Sequence, residues 1–137
     1  MVAMIPIGTR GLIFWLLFLP QVAFSDEPLV LQPDKDGVQR ATIAMESYVF
    51  APKDLILESG KPVELTLQNN SFLVPHNFLL DSPDGERLVD TNVSSGEIKT
   101  VQFTLKAPGT YPFYCDKQLL FFPNHREEGM EGTLIAR

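Results

Sequence analysis

Val63-Glu64-Leu65-Thr66-Leu67-Gln68 alternates apolar and polar residues without a break, and a strict period of two marks a β-strand with one face buried. Val101-Gln102-Phe103-Thr104-Leu105-Lys106 repeats the pattern. Weaker alternation covers Ala41-Ile43-Met45, Leu55-Leu57 and Thr110 to Cys115, and Thr133-Leu134-Ile135-Ala136 reads as a last strand. Turn clusters punctuate these runs at Ser59-Gly60-Lys61-Pro62, Asn69-Asn70-Ser71, Ser82-Pro83-Asp84-Gly85, Ser94-Ser95-Gly96 and Ala107-Pro108-Gly109, close to the rhythm of an all-β sandwich. The pattern predicts seven or eight strands, no helix and no internal repeat, arranged as a two-sheet antiparallel sandwich with its connections at the two ends.

Outside the strands, the chain divides readily. Its 137 residues, 45% hydrophobic and 20% charged, describe a globular protein with room for one domain. Residues 1–25 carry a single charge, Arg10, followed by the apolar run Leu12 to Leu19, then Pro20 and the small residues Ala23 and Ser25. This predicts a secretory signal peptide cut after Ser25, the apolar core being too short for a comfortable membrane span; an uncleaved anchor is the alternative. Asp26 to Gly37, rich in Pro and Asp, reads as an N-terminal arm, and residues 38–137 as the folded domain. Cleavage would remove one arginine and no acid, taking the formal charge from −6 to −7. That balance excludes nucleic acid as a natural partner and suits solubility or a basic protein partner. The mature protein is expected to be a monomer with no membrane span, periplasmic or secreted.

A lone cysteine in an exported chain cannot close an internal disulfide, so Cys115 is a dimer link, a buried thiol, a reactive thiol or a metal ligand. The histidines and methionines beyond residue 25 are His76, His125, Met45 and Met130. His76 follows Val74-Pro75 at the start of a strand. Cys115 ends the strand Tyr111-Pro112-Phe113-Tyr114-Cys115 on the same face as Phe113, pointing inward. A loop of nine residues then leads to His125, and Met130 sits beyond Arg126-Glu127-Glu128-Gly129. Met45, on an alternating strand, reads as core. Two imidazoles, a thiolate and a thioether make a soft, mixed donor set, and His₂Cys with a weak axial Met is the pattern of an electron-transfer copper site. Zinc would accept the Cys and His residues but gains little from Met.

Tyr111 to Cys115, then His125, then Gly129-Met130-Glu131-Gly132-Thr133-Leu134 resembles the C-terminal ligand loop of the cupredoxins, the family of plastocyanin and azurin. Pro75-His76-Asn77-Phe78 resembles the family's first-histidine motif, and Tyr48 to Pro52 through Glu64 to Leu67 looks like its early strands. The resemblance covers about residues 38–137. It implies a cupredoxin-like Greek-key sandwich and one type 1 (blue) copper per chain held by His76, Cys115, His125 and Met130. It also implies that Asn77 ties the two ligand loops together and donates toward the thiolate. The family separates Cys from the second His by only a few residues, whereas nine intervene here, Asp116 to Asn124, which predicts a distorted site or a conditional ligand.

The function expected from these residues is an exported one-electron carrier cycling Cu(II)/Cu(I), with His125 as its electron port and a redox protein such as a cytochrome or an oxidase as its partner. The alternative is storage, sensing or delivery of copper, for example toward a respiratory oxidase. No enzyme is expected. A Cys115-His125 nucleophile pair lacks an orienting third group, and copper oxidases or reductases need more histidines than two. Leu119-Leu120-Phe121-Phe122 is either a small core or an exposed docking surface. Glu127, Glu128 and Glu131 read as a solvated acidic rim, and Asn69-Asn70-Ser71 and Asn92-Val93-Ser94 match the glycosylation pattern.

Overall fold

The computed structural model describes residues 27–137. The predicted signal peptide therefore lies outside the described residues, within which no helix is long and apolar enough to cross a membrane. Among the described residues ten strands form in chain order: β1 Leu29–Val30, β2 Gln39–Glu46, β3 Val49–Ala51, β4 Asp54–Leu57, β5 Pro62–Asn69, β6 His76–Asp81, β7 Arg87–Val93, β8 Ile98–Thr104, β9 Gly109–Tyr114 and β10 Glu131–Ala136. They make two sheets, one ordered β1-β4-β10-β9-β6-β7 and the other β3-β2-β5-β8.

The all-β, two-sheet class follows the alternation. In β5 the side chains of Val63, Leu65 and Leu67 are buried, while Glu64, Thr66 and Gln68 are half-buried on the other face. β8, at the edge of its sheet, repeats the period more weakly: Val101 and Phe103 are only half-buried against the core, and Leu105 beyond the strand end is fully covered. β6 shows no alternation because side chains on both of its faces are buried. Phe78, Leu79 and Leu80 are all buried there, the continuous apolar run of an interior strand.

Three expectations need correction, the first being the strand count, which is ten among the described residues where seven or eight are predicted, because strands as short as β1 and β3 show no period. The sheets are mixed: β2 runs parallel to β5, and β4 runs parallel to both β1 and β10. Side-chain alternation reports which face is buried and is blind to strand direction. The predicted arm also belongs in part to the sandwich, because Leu29 and Val30 pair with Leu55 and Ile56, and the Leu31 amide donates to the Ile56 carbonyl at 2.8 Å. The buried Leu31 side chain fixes this segment. A two-residue strand is too short to show a period.

Between the sheets, Phe50, Phe78 and Phe113 form an aromatic cluster, with Phe113 5.1 Å from each of the other rings. Such contacts add about 0.5–1.5 kcal/mol per pair beyond area burial. Phe113 precedes Cys115 by two residues on the same face, so this cluster is the floor of the sandwich end described next. The buried Gln39 is matched reciprocally, donating to the Glu58 carbonyl at 3.1 Å and accepting from the Glu58 amide at 2.7 Å.

Candidate metal centre

His76 opens β6, Cys115 directly follows β9, Met130 directly precedes β10, and His125 lies in the loop joining these last two strands. All four side chains are buried at this end of the sandwich, with His125 the most exposed at 6%. The structure brings His76, Cys115 and His125 together, one donor atom from each lying within 4.8 Å of the others. His76 Nδ1 and His125 Nδ1 are 3.1 Å apart, and Cys115 Sγ is 3.8 Å and 3.4 Å from them. The point equidistant from these three atoms lies about 2.0 Å from each, close to the length of a bond from a first-row metal to imidazole nitrogen and slightly short of that to thiolate. The donor set is soft, and its spacing is that of a single ion. Met130 is buried, and its backbone is bonded to those of both Cys115 and His125.

The backbone accounts for the long separation between Cys115 and His125. The His125 amide donates to the Lys117 carbonyl at 2.8 Å, so residues 118–124 are excluded as a protruding lobe, and the stem is pinned below it. The Cys115 amide donates to the Met130 carbonyl at 3.1 Å, and the Met130 amide to the His125 carbonyl at 2.8 Å. Around His125 the chain closes a reciprocal turn of the capping-box kind. The Asn124 amide donates to Glu127 Oε2 at 2.8 Å, and the Glu127 amide returns a bond to Asn124 Oδ1 at 3.0 Å. Gly129 supplies the left-handed conformation, φ +99°, that the turn needs before Met130.

Supporting contacts fix the donors. His76 Nε2 is 3.0 Å from Ser71 Oγ, leaving Nδ1 facing the cluster. Asn77 takes the role the resemblance implies. Its side chain donates to Asp116 Oδ1 at 2.7 Å and accepts from the Asp116 amide at 3.0 Å, tying the β6 loop to the Cys115 loop. The donation toward sulfur comes from its backbone, the Asn77 amide lying 3.4 Å from Cys115 Sγ. Tyr48 meets His125 edge-on, with ring centroids 5.0 Å apart.

Electrostatics suit a cation. Burial, and then the neighbouring His125, push the His76 pKa down to about 4. Burial also lowers that of His125, so both imidazoles are neutral donors at neutral pH. Burial raises the Cys115 thiol, a shift opposed by the backbone amides of Asn77 and Lys117. A bound cation would offset the cost of ionising it, since metal binding displaces the thiol proton.

Ser71, Tyr48 and Asp116 escaped the sequence reading. Ser71 belongs to the triplet matched to glycosylation, but Asn69 of that triplet is buried and donates to the carbonyls of Val74 at 2.9 Å and Val93 at 3.0 Å. It organises the loop that carries His76. Leu119, Leu120, Phe121 and Phe122 are exposed on the lobe, as are Phe72 and Leu73 on the loop before β6, so the mini-core alternative is not realised. Met45 is core, as its alternation predicts.

Among known proteins, the family model described as Cupredoxin-like domain matches residues 10–136. The plastocyanin of Physcomitrium patens is 34% identical over 93 residues, covering 64% of this chain and 49% of that protein. The plastocyanin of Prochlorothrix hollandica is 33% identical over 92 residues, covering 64% and 63%. The chain thus spans about half to just under two thirds of these relatives. Dithionite-reduced auracyanin from Roseiflexus castenholzii shares the fold at a TM-score of 0.61 and 22% identity, covering 72% of this chain and 96% of that one.

Proposed function

The chain belongs to the cupredoxin-like family, and from that premise we propose that it is an exported one-electron carrier whose metal ligands are His76, Cys115, His125 and Met130. Copper, one ion per chain, is the cofactor, and when bound it supplies a centre that alternates between Cu(II) and Cu(I). The observation that carries the reading is the triangle of His76 Nδ1, His125 Nδ1 and Cys115 Sγ, drawn from two strand ends and one hydrogen-bonded loop. A soft thiolate and two imidazoles suit both oxidation states, and a thioether from Met130 completes the set without favouring either strongly.

The protein's own residues hold the donors still. Ser71 orients His76, Asn77 and Asp116 lock the two loops to each other, and the Asn124–Glu127 turn fixes His125. Fixed donors mean little rearrangement when the charge at the centre changes, which is what a carrier needs. His125 is the port, being the most exposed of the four and the one nearest the surface loop. The exposed Leu119 to Phe122 lobe, with Phe72 and Leu73, is the surface on which a redox protein such as a cytochrome or an oxidase would dock. Residues 1–25 direct export to the periplasm or the exterior, and the freed protein acts as a monomer. Copper delivery is the second reading. A long ligand loop would favour it by releasing His125 easily, but the bond to Lys117 and the capping turn restrain this one.

The test is voltammetry of the copper-loaded protein. A carrier gives one reversible one-electron wave that persists through repeated cycles. A wave that is lost on reduction, with copper passing to a Cu(I) chelator, would replace the carrier reading with delivery.

A further inference from the structure

Beside three of the proposed ligands stand residues that are half-buried or exposed on the outer surface. Tyr114 precedes Cys115, Arg126 follows His125, and Glu131 follows Met130. The structure joins these three outer residues to one another. Tyr114 and Glu131 are direct cross-strand partners in the β9–β10 ladder. Arg126 bridges them, its guanidinium carbon 3.9 Å above the Tyr114 ring centroid and its Nε donating to Glu131 Oε2 at 3.0 Å. The ring itself is held from the β6–β7 side. The Tyr114 hydroxyl donates to Asp81 Oδ2 at 2.8 Å and accepts from Arg87 Nη2 at 2.8 Å, while Arg87 also pairs with Asp81.

We propose that Arg126 is a positioning residue of the metal centre, latching the His125–Met130 segment onto β9 by stacking on Tyr114 and bonding to Glu131. Inside the protein the same segment is held by backbone bonds and by the buried donors, so the latch closes it from outside. Arginine suits the task because its planar fork can stack on a ring and donate sideways to a carboxylate at once, which a lysine ammonium cannot do. The latch rests on the ligand assignment above for its purpose, but its mechanical effect belongs to the protein with or without metal.

The experiment compares Arg126→Ala and Arg126→Lys with the parent protein in two states. In the metal-free protein, amide hydrogen exchange at His125 and Met130 should accelerate roughly five- to tenfold in Arg126→Ala, the factor that loss of one exposed stacking contact and one surface ion pair corresponds to. Amides of the central strand β5 should keep their rates. In the copper-loaded protein, loss of metal to a chelator should accelerate by a similar factor. Arg126→Lys keeps the charge and should recover less than half of either effect. Unchanged exchange at His125 and Met130 would overturn the latch, as would equal acceleration in β5, which reports global unfolding, or full recovery by lysine. A protein that fails to bind copper would sink the carrier reading while leaving the exchange result intact, so the two failures are distinguishable.

Discussion

Cys115→Ser is expected to abolish the intense thiolate-to-copper absorption and to weaken copper binding by more than about 100-fold, beyond what loss of a supporting residue costs. Cys115 is the sole cysteine, so no other thiol can take its place. A serine hydroxyl at the same spot stays protonated and gives the ion neither charge nor a soft donor. The substitution is nearly isosteric, and the hydroxyl can still accept from the Asn77 amide that now points at Sγ. The metal-free fold should therefore survive with little change in Tm. Absorption spectra and competition with a chelator make the check. An unchanged spectrum in the serine variant would remove Cys115 from the ligand set.

The second large effect is structural. Gly132→Ala should destabilise the metal-free protein by about 3 kcal/mol, lowering Tm by roughly 10 °C or more. A Cβ at this position would sit 2.1 Å from the Lys53 carbonyl oxygen and 2.4 Å from Phe113 Cζ. Neither neighbour can yield cheaply. The Lys53 carbonyl accepts the Thr133 amide at 2.8 Å where β10 meets β4. The Phe113 ring is packed between Phe50 and Phe78. Gly132 stands two residues after Met130, so any shift of β10 also moves a proposed ligand. Thermal unfolding of the metal-free variant reads the effect, and a loss under about 1 kcal/mol would mean that the gap between β4 and β10 opens freely.

The strands were legible where one face is buried and one is wet, as in β5 with Val63, Leu65 and Leu67. They were less legible in β6, which is covered on both faces, and in β1, which has two residues. Strand direction leaves no mark on alternation, which is why the parallel pairing of β2 with β5 was unforeseen. The meeting of His76, Cys115 and His125 was legible because each residue type is rare in this chain and sits at a strand end or in a loop. The supports were not. Ser71, Asn69 and Asp116 are common polar residues whose roles depend on partners up to 39 positions away, as with Asn77 and Asp116. The nine residues between Cys115 and His125 suggested a distorted or conditional site because a sequence spacing cannot show the Lys117–His125 bond that closes the stem beneath the lobe. The apolar run Leu119 to Phe122 read equally as core or surface, and its position outside that stem decides for surface.

The carrier account rests on one mononuclear copper bound by a thiolate and two imidazoles. The direct test is a combined visible absorption and electron paramagnetic resonance spectrum of the purified protein after one equivalent of Cu(II) and removal of excess. A copper carrier built on these ligands gives an intense thiolate-to-copper band together with a single mononuclear signal. A colourless protein, or one whose Cys115 is simply oxidised while the copper washes away, would contradict the carrier reading.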